Sequence, residues 1–419
     1  MKRVPLLLLA VGAAGFMAPS PQTGEQWTFI LGGDTDGYLS PCGCTKPMSG
    51  GIRRRATAVE TLRVKDRTVL LENGGLVSGS GRQDELKAEA LAESLGGLSV
   101  DAIHYGPSEA KLGAGALLSL AQLSGGRLVT SHLRRPTEEL SPVQVAGPFV
   151  IGAATTAPGA LAGLLGEPPL STEAAVQNLI EVAADLGATP VLMLQGDEAR
   201  ATALAQKFPK LALILYRSSG DPPAAPKQVG GTLLVTPGEK NKHLVRVRYQ
   251  DGRWSGYLPV RLSPEFHDHD QVSRFYRTYL KRVDEEGLLD KLPRAQTPKF
   301  VGSKACGKCH SEAMKVLEGT THFRALETLE KDFHNRDPDC VGCHVTGLES
   351  VKGFRSRAAT PDLAHVGCES CHGPGADHAA GPFKVKLPKV GETSCLKCHT
   401  GDTSPKFDFS EYWARVRHN

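Results

Sequence analysis

Hydrophobic and polar positions follow three successive patterns along this chain. Between residues 27 and 262, short β-branched and aliphatic runs alternate with longer stretches whose apolar positions recur every three to four residues. The runs at 27–31, 68–71, 102–105, 127–131, 149–151, 190–194, 211–216, 231–235 and 243–249 predict strands. The stretches at 51–64, 84–95, 110–123, 171–186 and 198–207 predict helices. Strands and helices in alternation predict an α/β domain with a covered sheet. A polar segment at 264–294 follows, with Val272, Phe275, Tyr276, Tyr279 and Leu280 at helical spacing. It predicts a connecting helix that ends before Pro293, within a linker spanning 263–297. From about residue 298 to 419 the chain is rich in Gly and His and poor in aliphatic runs. Such a segment has too few apolar side chains to build a core alone.

The first residues add a compartment. Lys2 and Arg3 precede an apolar run at 4–16, with small residues before Pro19. This is a signal-peptide pattern over residues 1–24, and it predicts export to the periplasm or another extracytoplasmic space. The run is short for a membrane span, so membrane contact is expected only through this segment if it stays uncleaved. A net charge of +4 over 419 residues gives no argument for nucleic acid.

Cysteine spacing supplies the chemistry. Eight of the ten cysteines fall in four Cys-x-x-Cys-His pentapeptides: Cys306, Cys309 and His310; Cys340, Cys343 and His344; Cys368, Cys371 and His372; Cys395, Cys398 and His399. The spacing is that of c-type haem attachment, two thiols for thioethers and the next His for the iron. Paired Cys-x-x-Cys zinc sites leave the invariant His unexplained. Four haem c groups are therefore expected. They would supply the missing apolar volume, with thioethers acting as staples.

The surrounding residues carry a resemblance. The Phe-Val-Gly-Ser-Lys-Ala segment before Cys306, the Val-Thr-Gly after His344 and the Gly-Pro-Gly after His372 are similar to the tetrahaem cytochrome c-554 family. The resemblance implies a mainly helical tetrahaem module for electron transfer, in which one haem can be five-coordinate. It also points to sixth ligands. His322 in a Thr-His-Phe-Arg-Ala segment, His378 behind Gly-Pro-Gly and His418 near the terminus match family ligand positions, and His334 and His365 are further candidates.

The first domain, 27–262, resembles the 5′-nucleotidase-like metallophosphoesterases, whose fold is a layered α/β sandwich. The landmarks are Gly-Gly-Asp34-Thr-Asp36, Gly-Gly-Ile-Arg-Arg-Arg at 50–55, Leu-Leu-Glu-Asn-Gly-Gly ending at Gly75, and Gly-Pro-Ser-Glu ending at Glu109. Two-metal hydrolysis needs bridging and terminal Asp, Asn and His ligands. The resemblance puts Gly75 at the bridging Asp, and Pro107 and Ser108 at an Asn and a His. Asp36 stands at the first His, and the stretches at Gln195 and Arg217 replace later His ligands. The expectation is a degenerate domain without a dinuclear centre. Asp34 and Asp36, with His104 nearby in sequence, are candidates for one residual ion.

Cys42 and Cys44 form a Cys-Gly-Cys pair just beyond Asp36. Three readings stand: a redox couple, a structural disulfide or a metal-holding pair. A ring this small is strained and easily reduced. The chain thus reads as an α/β domain followed by a mainly helical multihaem cytochrome c domain, exchanging electrons with partner proteins. The rivals are a haem redox enzyme acting on a small nitrogen or sulfur compound at an open iron, an active metallophosphoesterase, and a binding module.

Overall fold

A computed structural model of the protein describes residues 24–41, 48–381 and 385–418. Cys42, Cys44 and the expected signal segment up to residue 23 lie outside the described residues.

The α/β domain contains two six-stranded sheets. The first has the order β12-β11-β1-β2-β3-β4, with β1 (Trp27–Gly32), β2 (Thr68–Glu72), β3 (Ala102–His104) and β4 (Leu128–Val129) parallel. Strands β11 (His243–Gln250) and β12 (Arg253–Arg261) extend it as an antiparallel hairpin beside β1. The second has the order β5-β6-β7-β8-β10-β9. Its β6 (Phe149–Thr155), β7 (Thr189–Gln195), β8 (Leu213–Tyr216) and β10 (Thr232–Val235) are parallel. The edge strands β5 (Val143–Ala146) and β9 (Lys227–Val229) are antiparallel.

Strand alternation explains the layering. Phe29, Leu31, Val69 and Leu71 point towards Phe149, Ile151, Val191, Met193, Leu213 and Leu215 in a core between the sheets. The intervening Ile30 and Leu70 pack against the helices outside the first sheet, and Leu192, Leu194 and Ile214 against those outside the second. Both faces are covered, so the strands read as continuous apolar runs. The outer helices include Ile52–Leu62, Arg82–Gly97 and Ala114–Leu123 on one side, and Thr172–Asp185 and Glu198–Lys207 on the other. Ser171 and Asp197 cap the last two by accepting from Ala174 N and Arg200 N, the preferred chemistry at those positions. Strands β5, β9 and β12 were not foreseen. They are edge strands, two of them only three or four residues long and the third interrupted by Ser, Gly and Pro, so periodicity gives them a weak signal.

The connecting helix spans Asp270–Glu285 and buries Val272, Tyr276, Tyr279, Leu280 and Val283 against the first domain. Beyond it, the haem-motif region consists of short helices around a small core. Leu289, Phe300, Leu326, Leu329, Val341, Val345, Leu348 and Phe354 form that core. The helices Ser311–Glu318 and Phe409–Val416 are amphipathic yet bury no residue against protein.

The two regions meet at polar contacts. Tyr279 Oη donates to Asp337 Oδ2 (3.1 Å), Gln83 Nε2 donates to Asp337 Oδ1 (2.8 Å), and Lys87 pairs with Asp339. Asp337 in turn caps the Pro338–Val341 helix that carries Cys340. Burial pushes its carboxyl up to about 6, and Asp339 adds to the shift. Lys240 and Lys242 pair with Asp402, three residues past His399.

Candidate haem sites and the strand-end pocket

Each motif is one helical turn. His310 N donates to Cys306 O and His399 N to Cys395 O, both at 2.9 Å, while Cys368–His372 is a short helix. Residues three apart share a helix face, so both thiols point the same way and the His follows them. Motifs from distant parts of the chain come together. The Cys306 thiol lies close to that of Cys368, and the Cys398 thiol to that of Cys343. Glu369 ties the first and third motifs by accepting from Val301 N, Gly302 N and Gly375 N.

The histidines fall into facing pairs. His310 and His378 have ring centroids 6.3 Å apart, His322 and His399 6.0 Å, and His372 and His418 6.0 Å. A metal–imidazole bond is about 2 Å and the ring centre lies roughly 1 Å beyond the nitrogen, so two rings on one metal sit about 6 Å apart. The spacing therefore fits one iron between each pair. The unbonded nitrogens agree. Nδ1 of His372 faces Pro388 O (3.3 Å), that of His378 Val385 O (2.9 Å), that of His399 Ser404 Oγ (2.7 Å) and that of His418 Val416 O (3.0 Å). Such bonds fix the tautomer and leave Nε2 for a metal. His344 Nδ1 faces Ala325 O at 2.7 Å in the same manner. Burial lowers the pKa of His322 and of His399, keeping both rings neutral and able to ligate. The bare apolar faces of the Ser311–Glu318 and Phe409–Val416 helices complete the fit to bulky apolar cofactors.

His334 and His365 sit elsewhere. His334 Nε2 bonds the Tyr276 hydroxyl at 2.9 Å, and His365 Nε2 bonds Ser303 Oγ at 2.9 Å while its ring packs on Phe323. Proximity in sequence to a motif was their signal, and tertiary partners redirect both.

In the α/β domain the predicted residues gather at the carboxyl ends of the parallel strands, the usual crevice of such sheets. Asp34 follows β1, Gly75 follows β2, Glu109 follows β3, Gln195 ends β7 and Arg217 follows β8. The loops after β1 and β2 zip together, with Asp34 N donating to Gly74 O and Asp36 N to Gly75 O. Asp34, Asp36, Gln195, Arg217, Ser218 and Glu239 line a cavity of about 330 Å³. Asp34 is almost fully buried and pairs with Arg217, which the sequence showed only as a replacement for a His ligand. Burial raises the Asp34 carboxyl well above its usual range, opposed by Arg217, and it raises Asp36 less strongly.

His104 does not join the two aspartates. Its Nδ1 meets Asn73 Oδ1 at 3.2 Å, and burial pushes the ring well below its usual pKa. Pro107 and Ser108 open a short helix, while Glu109 accepts from Leu76 N and Gly106 N. Among the described residues no three His, Cys, Asp or Glu side chains are placed to hold a metal ion.

Comparison with known proteins separates the two regions. Residues 305–373 match the family described as cytochrome c554 and c-prime. Cytochrome c-554 of Nitrosomonas europaea is 38% identical over 92 residues, which cover 18% of this chain and 39% of that protein. The chain therefore spans less than half of that relative. The α/β region is similar to an NAD nucleotidase from Haemophilus influenzae (TM-score 0.52, 13% identity, 67% of this chain and 63% of that one). A similar likeness holds for the sulfate thiohydrolase SoxB of Thermus thermophilus (TM-score 0.50, 16% identity, 70% and 67%). At these identities the likeness is one of fold.

Proposed function

We propose, from a C-terminal segment similar to cytochrome c554 and an α/β fold shared with 5′-nucleotidases, that this chain is an exported tetrahaem electron-transfer protein with a non-hydrolytic nucleotidase-like domain. The observation that carries this reading is the opposition of three motif histidines to three others at 6.0–6.3 Å. Covalently bound haem would supply reversible one-electron chemistry, and an iron held by two of these imidazoles would have no site for substrate. The chain's part is to hold the rings. Nδ1 bonds fix their tautomers, and Glu369 ties the first and third motifs together. Donor and acceptor are redox partner proteins. The non-hydrolytic reading of the first domain is supported by Gly75 and by the Asp34–Arg217 pair.

Intact mass tests the stoichiometry. The processed holoprotein is expected to exceed its polypeptide mass by four haem groups, about 2.5 kDa, none of it extractable by acid. A smaller increment removes the tetrahaem reading.

A second reading, redox chemistry on a small molecule at one iron, is favoured by a separate observation. Tyr276 engages His334 and Ser303 engages His365, so each of these two imidazoles has a partner other than a motif histidine. Carbon monoxide added to the fully reduced protein is expected to shift the Soret band of one haem in four. A spectrum insensitive to carbon monoxide rejects this reading and leaves pure electron transfer.

A further inference from the structure

The fold of the first domain implies divalent metal ions at the carboxyl ends of its strands, and the residues there do not fit them. A Cβ at Gly75 would lie 2.7 Å from Asp34 Oδ1 and 3.5 Å from Arg217 Nη2. The position that resembles the bridging carboxylate therefore touches both an acid and a guanidinium. Arg217 Nε pairs with Asp34 Oδ1, and Asp34 is nine-tenths buried or more.

We propose that Arg217 is the built-in cation of this site, standing in for the metal as the partner of Asp34 and closing the pocket to divalent ions. The proposal rests on the non-hydrolytic reading of the domain and deepens it.

Three physical points support it. A guanidinium stays charged under all ordinary conditions, so the negative charge of Asp34 has a permanent partner. A buried carboxylate without a partner is strongly disfavoured, and Arg217 supplies the positive charge that a metal would have supplied. The backbone N–H of Arg217 donates to Gly196 O at 3.0 Å, which fixes the start of this residue just past β8, from where its side chain reaches Asp34. An incoming divalent ion would meet the guanidinium at contact distance and would have to displace it. The arrangement also keeps the loop after β1 in place without metal, because that loop contributes Asp34 and is zipped to Gly74 and Gly75. Lys240, between β10 and β11, donates its backbone N–H to Asp34 O and pairs through its side chain with Asp402.

The test uses the full-length holoprotein and Mn²⁺ alone, followed by calorimetry and by the electron paramagnetic resonance of free Mn²⁺. The parent protein is expected to show no Mn²⁺ site that depends on Asp34, so parent and Asp34→Asn titrate alike. Arg217→Gln is expected to gain at least about tenfold in Mn²⁺ affinity. That gain is expected to vanish in Arg217→Gln/Asp34→Asn and to be absent in Arg217→Lys. Parent binding that is lost in Asp34→Asn overturns the proposal, and this arm stands even if Arg217→Gln does not fold. A folded Arg217→Gln protein, judged by circular dichroism, that gains no Mn²⁺ also overturns it. Metal-independent phosphate-ester hydrolysis would instead remove the non-hydrolytic reading and leave the built-in cation untouched.

Discussion

Replacing His322 by Ala is expected to convert one low-spin haem into a high-spin form that binds carbon monoxide, and His378→Ala and His418→Ala are expected to do the same at two other haems. The effect is all-or-none at the affected iron, because a lost sixth ligand changes spin state and opens a coordination position. Each of these rings faces a motif histidine at 6.0–6.3 Å, and burial keeps His322 neutral. The controls are His334→Ala and His365→Ala, whose Nε2 atoms bond Tyr276 and Ser303. Those variants are expected to keep the parent's low-spin content. Electron paramagnetic resonance of the oxidised protein reads both outcomes. An unchanged spectrum in all three first variants would falsify the pairing, and a new high-spin signal in His334→Ala would assign that residue a ligand role instead.

The second large effect concerns stability. Glu72→Ala is expected to destabilise the α/β domain by about 3–5 kcal/mol, the range for breaking a buried ion pair from one side. Glu72 and Arg55 are almost fully buried and pair with each other. Thr35 Oγ1 also donates to Glu72 Oε1 at 3.4 Å, which links the pair to the loop carrying Asp34. Nothing bulkier than Gly fits at position 32, since an added Cβ would lie 2.1 Å from the Arg55 guanidinium. The pair thus occupies space that the β1 backbone leaves open. Burial raises the Glu72 carboxyl, opposed by Arg55. Denaturant unfolding followed by far-ultraviolet circular dichroism measures the loss. The double replacement Arg55→Met/Glu72→Leu is expected to recover much of it, because an apolar pair of similar volume removes the uncompensated charge. A loss below about 1 kcal/mol in Glu72→Ala would place the pair among solvent-screened contacts and contradict its burial.

The likenesses in the first domain were readable because both faces of its parallel strands are covered. Runs such as those containing Phe29, Ile30 and Leu31, or Val191, Met193 and Leu194, are apolar throughout, and the helices between them keep their own period. Two sheets rather than one were not readable from periodicity, and the layered sandwich came only from the resemblance. A continuous apolar run shows that a strand has two buried faces but not whether the layer beyond is a helix or another sheet. Edge strands such as β9, with exposed Lys227 and Gln228, carry little period at all.

The haem-motif region divides in the same way. Covalent chemistry is local, so the four Cys-x-x-Cys-His turns, and the histidines proposed as proximal ligands, are visible in spacing alone. Axial pairing is not local. His399 meets His322 and His372 meets His418 across long stretches of chain, and only packing brings them together. The same holds for Arg217. As a residue after an apolar strand it looked like a lost histidine ligand, and its role emerges only where the ends of β1, β2 and β8 converge on Asp34. By itself the sequence determined the four Cys-x-x-Cys-His motifs, the α/β rhythm and the absence of a carboxylate at Gly75. Tertiary structure alone decided which histidines face each other, which are taken by Tyr276 and Ser303, and which cation Asp34 keeps, because each depends on groups distant in sequence meeting within a few ångströms.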